Sequence, residues 1–192
     1  MYTAKEFSFG EIKGLSVRSI EEHLKLYEGY VKNTNLILNT MKEAQENGVH
    51  EYELSEMQRR LSFEFDGMRN HELYFSQIEA GSKEINEDSS LYNKISEQWG
   101  SFENWTNDFI NLSKTRGVGW AIMYFDEEND RLINHWVDEQ HIGHLTGLKV
   151  IFALDMWEHS YVGDYWSSGK EQYIEDYLSN VNWNIVENRF TV

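Results

Sequence analysis

Asp155 and His159 stand four residues apart in Leu154-Asp155-Met156-Trp157-Glu158-His159-Ser160-Tyr161. If a helix begins at Asp155, that spacing brings carboxylate and imidazole to one face, one turn apart. A hard oxygen beside a borderline nitrogen suits a first-row transition metal. Two ligands do not hold a metal tightly, so the rest must come from elsewhere. Alone, the pair reads first as a capping aspartate and an unrelated histidine. Further candidates lie upstream. His23 sits among Ile20, Leu24, Tyr27, Val31, Leu38 and Met41, which recur at helical spacing, and Tyr30 follows it by about two turns. His71 lies in Arg69-Asn70-His71-Glu72-Leu73-Tyr74-Phe75, near the end of a second helical pattern running from about residue 51 to 79.

These side chains need a frame. Residues 1–14 read as an extended arm, and Ser16 is placed to cap the first long helix. Asn47-Gly48 breaks that helix, so the two long helices should form an antiparallel hairpin. The polar stretch 80–90 separates a hairpin domain, 1–84, from an α/β domain, 85–192. In the second part, helices are predicted at about 89–98 and 101–115, the latter with a partial capping box at Ser101 and Asn104. Strands follow at 119–125, 131–137 and 149–154. An acidic hairpin loop, Asp126 to Asp130, joins the first two strands. Short helices at 158–166, 171–179 and 182–189 complete the chain. The expected class is α+β: a helical hairpin, then a three-stranded antiparallel sheet flanked by helices.

Composition narrows the chemistry. The chain has 192 residues, seven Trp, eleven Tyr, ten Phe and a formal charge of -16. Such aromatic content argues for a packed core, and the charge argues against binding a phosphate backbone. There is no cysteine, hence no thiolate ligand or cysteine nucleophile, and no proline. The first residues lack the apolar core of a signal peptide and no run approaches membrane-spanning length. A cytoplasmic protein binding neither nucleic acid nor membrane is expected. Gly117-Val118-Gly119 lacks the remaining glycines of a phosphate loop and reads as a tight strand entry. A di-iron carboxylate bundle would need Glu-x-x-His pairs on two helices, and none is present. His50 and His135 fit surface or strand roles.

Taken together, one histidine on each hairpin helix, Gly-Val-Gly-Trp-Ala at 117–121, Asp155-x-Trp157-Glu158-His159-x-Tyr161 and Val181-Asn182-Trp183 resemble the iron/manganese superoxide dismutases over nearly the full chain. The resemblance implies one Fe or Mn ion per subunit, held by His23, His71, Asp155 and His159, with solvent in a fifth position. It implies Tyr30 as a gateway tyrosine, Trp120 and Trp157 as walls, and Tyr161 beside the ligand turn. Glu158 would reach His159 of a second copy across a two-fold homodimer. The implied activity converts superoxide to dioxygen and hydrogen peroxide by alternating metal reduction and oxidation. The alternative is a catalytically inactive structural or interaction protein retaining the dismutase fold.

Four departures from the family pattern accompany the resemblance. The span from His23 to Tyr30 is one residue short, and an ungapped register would put Glu22 in the ligand's place. A histidine–tyrosine pair that links subunits in the family falls here on Leu26 and Val162, so that cross-subunit relay is expected to be missing. The glutamine that holds the metal-bound solvent has no counterpart on the second helix, where Gly67 stands. Counting back from Asp155 favours His144 for this role, with Gln140 and His141 as alternatives. The arginine of the anion funnel is matched by Lys170, counting back from Trp183.

Overall fold

The computed structural model describes residues 1–48 and 50–191. Ser16 caps helix α1 (Val17–Asn47) by accepting from the Ser19 amide at 3.1 Å, which satisfies one of the amides a helix start leaves free. Gly48, at φ 76°, ends the helix. His50 caps α2 (Glu51–Ser76) by accepting from the Tyr52 amide. The two helices pack as the predicted hairpin, with Ile20, His23, Tyr27, Val31 and Thr34 as the buried stripe of α1. The arm before α1 is pinned by side chains: the Lys5 amide donates to the Tyr27 hydroxyl and the Lys13 amide to Asn180 Oδ1.

The second half begins with α3 (Ser90–Trp99) and α4 (Phe102–Ser113), capped by Ser89 and Ser101. Strands β1 (Gly119–Asp126), β2 (Arg131–Asp138) and β3 (Lys149–Asp155) form one antiparallel sheet in the order β2-β1-β3. Gly119 marks a close approach, since a Cβ there would lie 2.1 Å from the Val137 carbonyl oxygen. Trp120 pairs with Asp155 across the β1–β3 ladder, so their side chains emerge on the same face. After β3 come a single tight turn at Glu158–Ser160, the short helix α5 (Val162–Tyr165), α6 (Lys170–Ser179) and α7 (Trp183–Thr191).

One apolar core runs through both halves, from Tyr27 and Phe75 to Trp105, Phe152 and Trp183. Polar ties cross it as well. Gln77, at the end of α2, donates to the Ala153 carbonyl and accepts from the Ala153 amide, fixing α2 against β3 just before Asp155. Among the described residues, no helix is long and apolar enough to cross a membrane.

No helix starts at Asp155, and the helix expected over 158–166 is split into a turn at Glu158–Ser160 and α5. Asp155 is the last residue of β3, and its Oδ1 accepts from the Trp157 amide at 2.8 Å. This aspartate turn diverts the chain before any helix starts. The tight turn that follows brings His159 back over Asp155 by a route other than helical spacing.

Candidate metal centre

Four elements converge on one point. The phase of α1 that buries Ile20 and Tyr27 also buries His23, which is 2 % exposed. Glu22 faces outward and pairs with Lys25, so helix phase favours His23 over Glu22. His71 comes from α2 and is fully buried, Asp155 from the end of β3, and His159 from the turn. One ligand atom from each residue lies within 4.8 Å of the others. His23 Nε2 and His159 Nε2 are each 3.1 Å from Asp155 Oδ2, and His71 Nε2 is 3.5 Å away.

The decisive detail is the proton on His71. Its Nδ1 is 2.6 Å from the Gly67 carbonyl. A carbonyl only accepts, so Nδ1 carries the hydrogen and Nε2 presents a bare lone pair. That Nε2 is buried and has no hydrogen-bond partner. A buried polar atom without a partner costs on the order of 1–3 kcal/mol and calls for an explanation. Three imidazoles and one carboxylate facing each other supply it, because the set fits a first-row divalent or trivalent metal.

Charge follows geometry. Burial pushes the pKa of His71 down to about 3, and burial likewise lowers that of His23 against the opposing hydrogen bond from Asp155. Burial would raise Asp155, but the histidines His159 and His23 outweigh it and hold the carboxyl below its usual range. Both histidines therefore stay neutral and the aspartate ionised, the protonation states a metal requires. For each, the unfolded chain binds protons that the folded chain refuses. Stability contributed by the two histidines is full above pH 6.5 and falls as the pH drops below it, for His71 down to about 3, and that of Asp155 is lost below 3.8. The denaturation midpoint of the metal-free chain should therefore drop steadily between pH 6.5 and 4; a flat profile there would contradict neutral buried imidazoles.

Residues 87–189 match the family model described as iron/manganese superoxide dismutases, C-terminal domain. The chain is also 30% identical over 183 residues to an iron superoxide dismutase of Cupriavidus metallidurans, covering 94% of this chain and 90% of that one. It belongs to the iron/manganese superoxide dismutase family. An iron superoxide dismutase of Aquifex aeolicus is 31% identical over 186 residues, 93% of this chain and 85% of that one. A manganese superoxide dismutase of Mycolicibacterium smegmatis is 28% identical over 190 residues, 96% and 89%. Iron and manganese forms both occur among the relatives, and three imidazoles with one carboxylate serve either metal.

Around the cluster of His23, His71, Asp155 and His159 the other candidate residues take distinct positions. Tyr30 lies on the His71 side, ring centroids 5.0 Å apart, and α1 is unbroken from His23 to Tyr30. Seven residues therefore keep the two on nearly one face. Gln140, not His144, reaches Tyr30. Its Nε2 donates to the Tyr30 hydroxyl at 3.0 Å, and its Oε1 accepts from Trp120 Nε1 at 2.8 Å. The His144 ring bonds instead with Tyr124 and the Gln140 carbonyl, close to Asn70. His141 packs its ring against Phe63. Trp120 stands 5.1 Å from the His71 ring, and Trp157 stacks on His159 at 5.8 Å. Tyr161 is buried and stacks on Tyr173.

Lys170 donates to the Thr115 carbonyl and lies over Trp136, a setting that includes none of the four clustered residues. Glu158 is exposed, as is Leu26, while Val162 is half-buried. Sequence reasoning passed over Tyr173 and Ser160, whose hydroxyls donate to the Asp155 carbonyl at 2.8 and 3.1 Å. It also passed over Tyr124. The available signal was that a tyrosine in an apolar stretch must find a partner for its hydroxyl.

Proposed function

We propose that this chain dismutates superoxide at one iron or manganese ion held by His23, His71, Asp155 and His159. Two superoxide anions and two protons give one dioxygen and one hydrogen peroxide. The observation that carries this reading is the bare, buried Nε2 of His71, facing three other ligand atoms in a chain of this family. When bound, the ion supplies a one-electron acceptor in one half of the cycle and a one-electron donor in the other.

The chain's own residues do the rest. Asp155 contributes one negative charge and the neutral histidines none, so a bound cation keeps net positive charge toward a small anion. Tyr30 uses its oxygen to accept from Gln140, which leaves its own O–H to offer a proton to an anion in the site. Burial raises the Tyr30 pKa well above its ordinary value, with Asp155 adding to the effect, so the phenol stays protonated at neutral pH. Gln140, rather than His144, takes the place beside the centre because both ends of its carboxamide are committed to site residues. Phe63, Trp120 and Trp157 wall the approach.

Two copies are proposed to meet at the ligand turn. Among the described residues the Glu158 side chain has no hydrogen bond or ion pair, and the neighbouring His159 side chain is 21% exposed. Glu158 of one copy would accept from His159 of the other, fixing its tautomer. Leu26 and Val162 leave no polar pair to bridge the copies at their position.

Reconstitution with iron and with manganese, followed by elemental analysis and a superoxide-decay assay, tests the reading. One ion per chain and metal-dependent decay are expected. One ion per chain with no decay would overturn it in favour of a scaffold that keeps the fold without catalysis. Glu158→Ala should shift the chain toward monomer in sedimentation, and an unchanged assembly would remove the proposed contact.

A further inference from the structure

Gln140 reaches Tyr30 and Trp120 from a segment, 139–148, that belongs to no helix or strand. Its neighbour Glu139 has φ 51° and Gly143 φ 97°, so the backbone turns sharply on both sides and local propensity does not hold it. A backbone bridge between Asp138 and Ile142 closes the turn, and inside it a set of side chains converges on one carbonyl. The Gln140 carbonyl accepts from Asn70 Nδ2 at 3.0 Å and lies 3.2 Å from His144 Nε2. The opposite ring nitrogen, Nδ1, lies 2.6 Å from the Tyr124 hydroxyl. Since the carbonyl only accepts, His144 Nε2 carries the hydrogen and Nδ1 accepts from the Tyr124 O–H. Burial lowers the His144 pKa, which keeps the ring in this neutral form. Tyr124 is 1% exposed in the middle strand of the sheet, and Asn70 is the residue before His71. The loop is thus tied to the sheet at one end and to the helix that presents His71 at the other.

We propose that His144 and Tyr124 are positioning residues: through the Gln140 carbonyl they fix the Gln140 carboxamide between Trp120 and Tyr30. Their effect on turnover rests on the dismutase reading above; their effect on Gln140 does not.

The test is a double-mutant cycle with two readouts. The first is the Trp120 indole N–H resonance in the full chain loaded with zinc as a diamagnetic ion and assigned by Trp120→Phe. It should move in Tyr124→Phe toward its position in Gln140→Ala. The second is turnover of the iron- or manganese-loaded chain. Tyr124→Phe should lower it by on the order of tenfold, the scale of a small misplacement, and should add nothing in the Gln140→Ala background. His144→Gln, whose amide restores one donor, should recover part of what His144→Phe loses. A purely structural role would instead lower thermal stability and turnover by the same factor in both backgrounds. An unmoved Trp120 resonance, or additive losses, would overturn the proposal. If the unaltered chain fails to consume superoxide, the dismutase reading fails, and the Trp120 resonance still decides the clamp.

Discussion

Asp155→Asn should cost the protein its metal while leaving the metal-free fold almost unharmed. Asparagine keeps an oxygen where Asp155 Oδ1 accepts from the Trp157 amide, so the turn that returns His159 survives. The change falls on Oδ2, which now lies within 3.1 Å of His23 and His159 Nε2 and 3.5 Å of His71 Nε2. An amide NH2 there can donate to the bare Nε2 of His71, requires His23 and His159 to present lone pairs in place of N–H groups, and repels a cation. Metal affinity should fall at least about a hundredfold, beyond what loss of an outer partner costs. In the unaltered chain, metal at about 1,000 times its Kd adds about 4 kcal/mol. For a chain of 192 residues that raises Tm by roughly 8–16 °C, taking about 2–4 °C per kcal/mol. The metal-free variant should melt within a few degrees of the metal-free parent, and added metal should move it no further. A metal-induced rise in Tm equal to the parent's would show that Asp155 is not a ligand.

The variant separates two things the sequence shows with unequal clarity. The clustered residues were legible because helical patterns carry His23 and His71 and an apolar run delivers Asp155. Their local conformation was less so. The spacing of Asp155 and His159 reads as helical, yet the aspartate side chain competes for the Trp157 amide and ends the strand in a turn instead. The loop before β3 was hardest to read. Counting back from Asp155 gives a position along the chain but no direction, and between Asp138 and Lys149 no period sets which side chains point inward. The positive φ of Glu139, invisible in a glutamate, helps to turn Gln140 into the site and leaves His144 behind it.

Gly67→Ala should damage proton delivery without touching a ligand. In most helices this substitution stabilises by about 1 kcal/mol. Here a Cβ at residue 67 would lie 2.6 Å from Tyr30 Cδ1 and 2.8 Å from Cε1, too close for both to stay. The Tyr30 ring has little room to retreat, with His71 at 5.0 Å and Phe63 at 6.0 Å between centroids. Displacing it also strains the Gln140 bond to its hydroxyl. Overpacking of this kind costs about 1–3 kcal/mol, enough to outweigh the gain in helix propensity. Turnover should fall on the order of tenfold to a hundredfold, the scale on which a positioned proton donor acts, with metal content unchanged because the Gly67 carbonyl still accepts from His71 Nδ1. The control is Tyr30→Ala. If the clash is the cause, Gly67→Ala meets no ring in that variant, so Tm rises by the helix term and turnover does not fall again. A second equal loss of turnover in the Tyr30→Ala background would mean that Gly67 acts through His71 and not through the tyrosine.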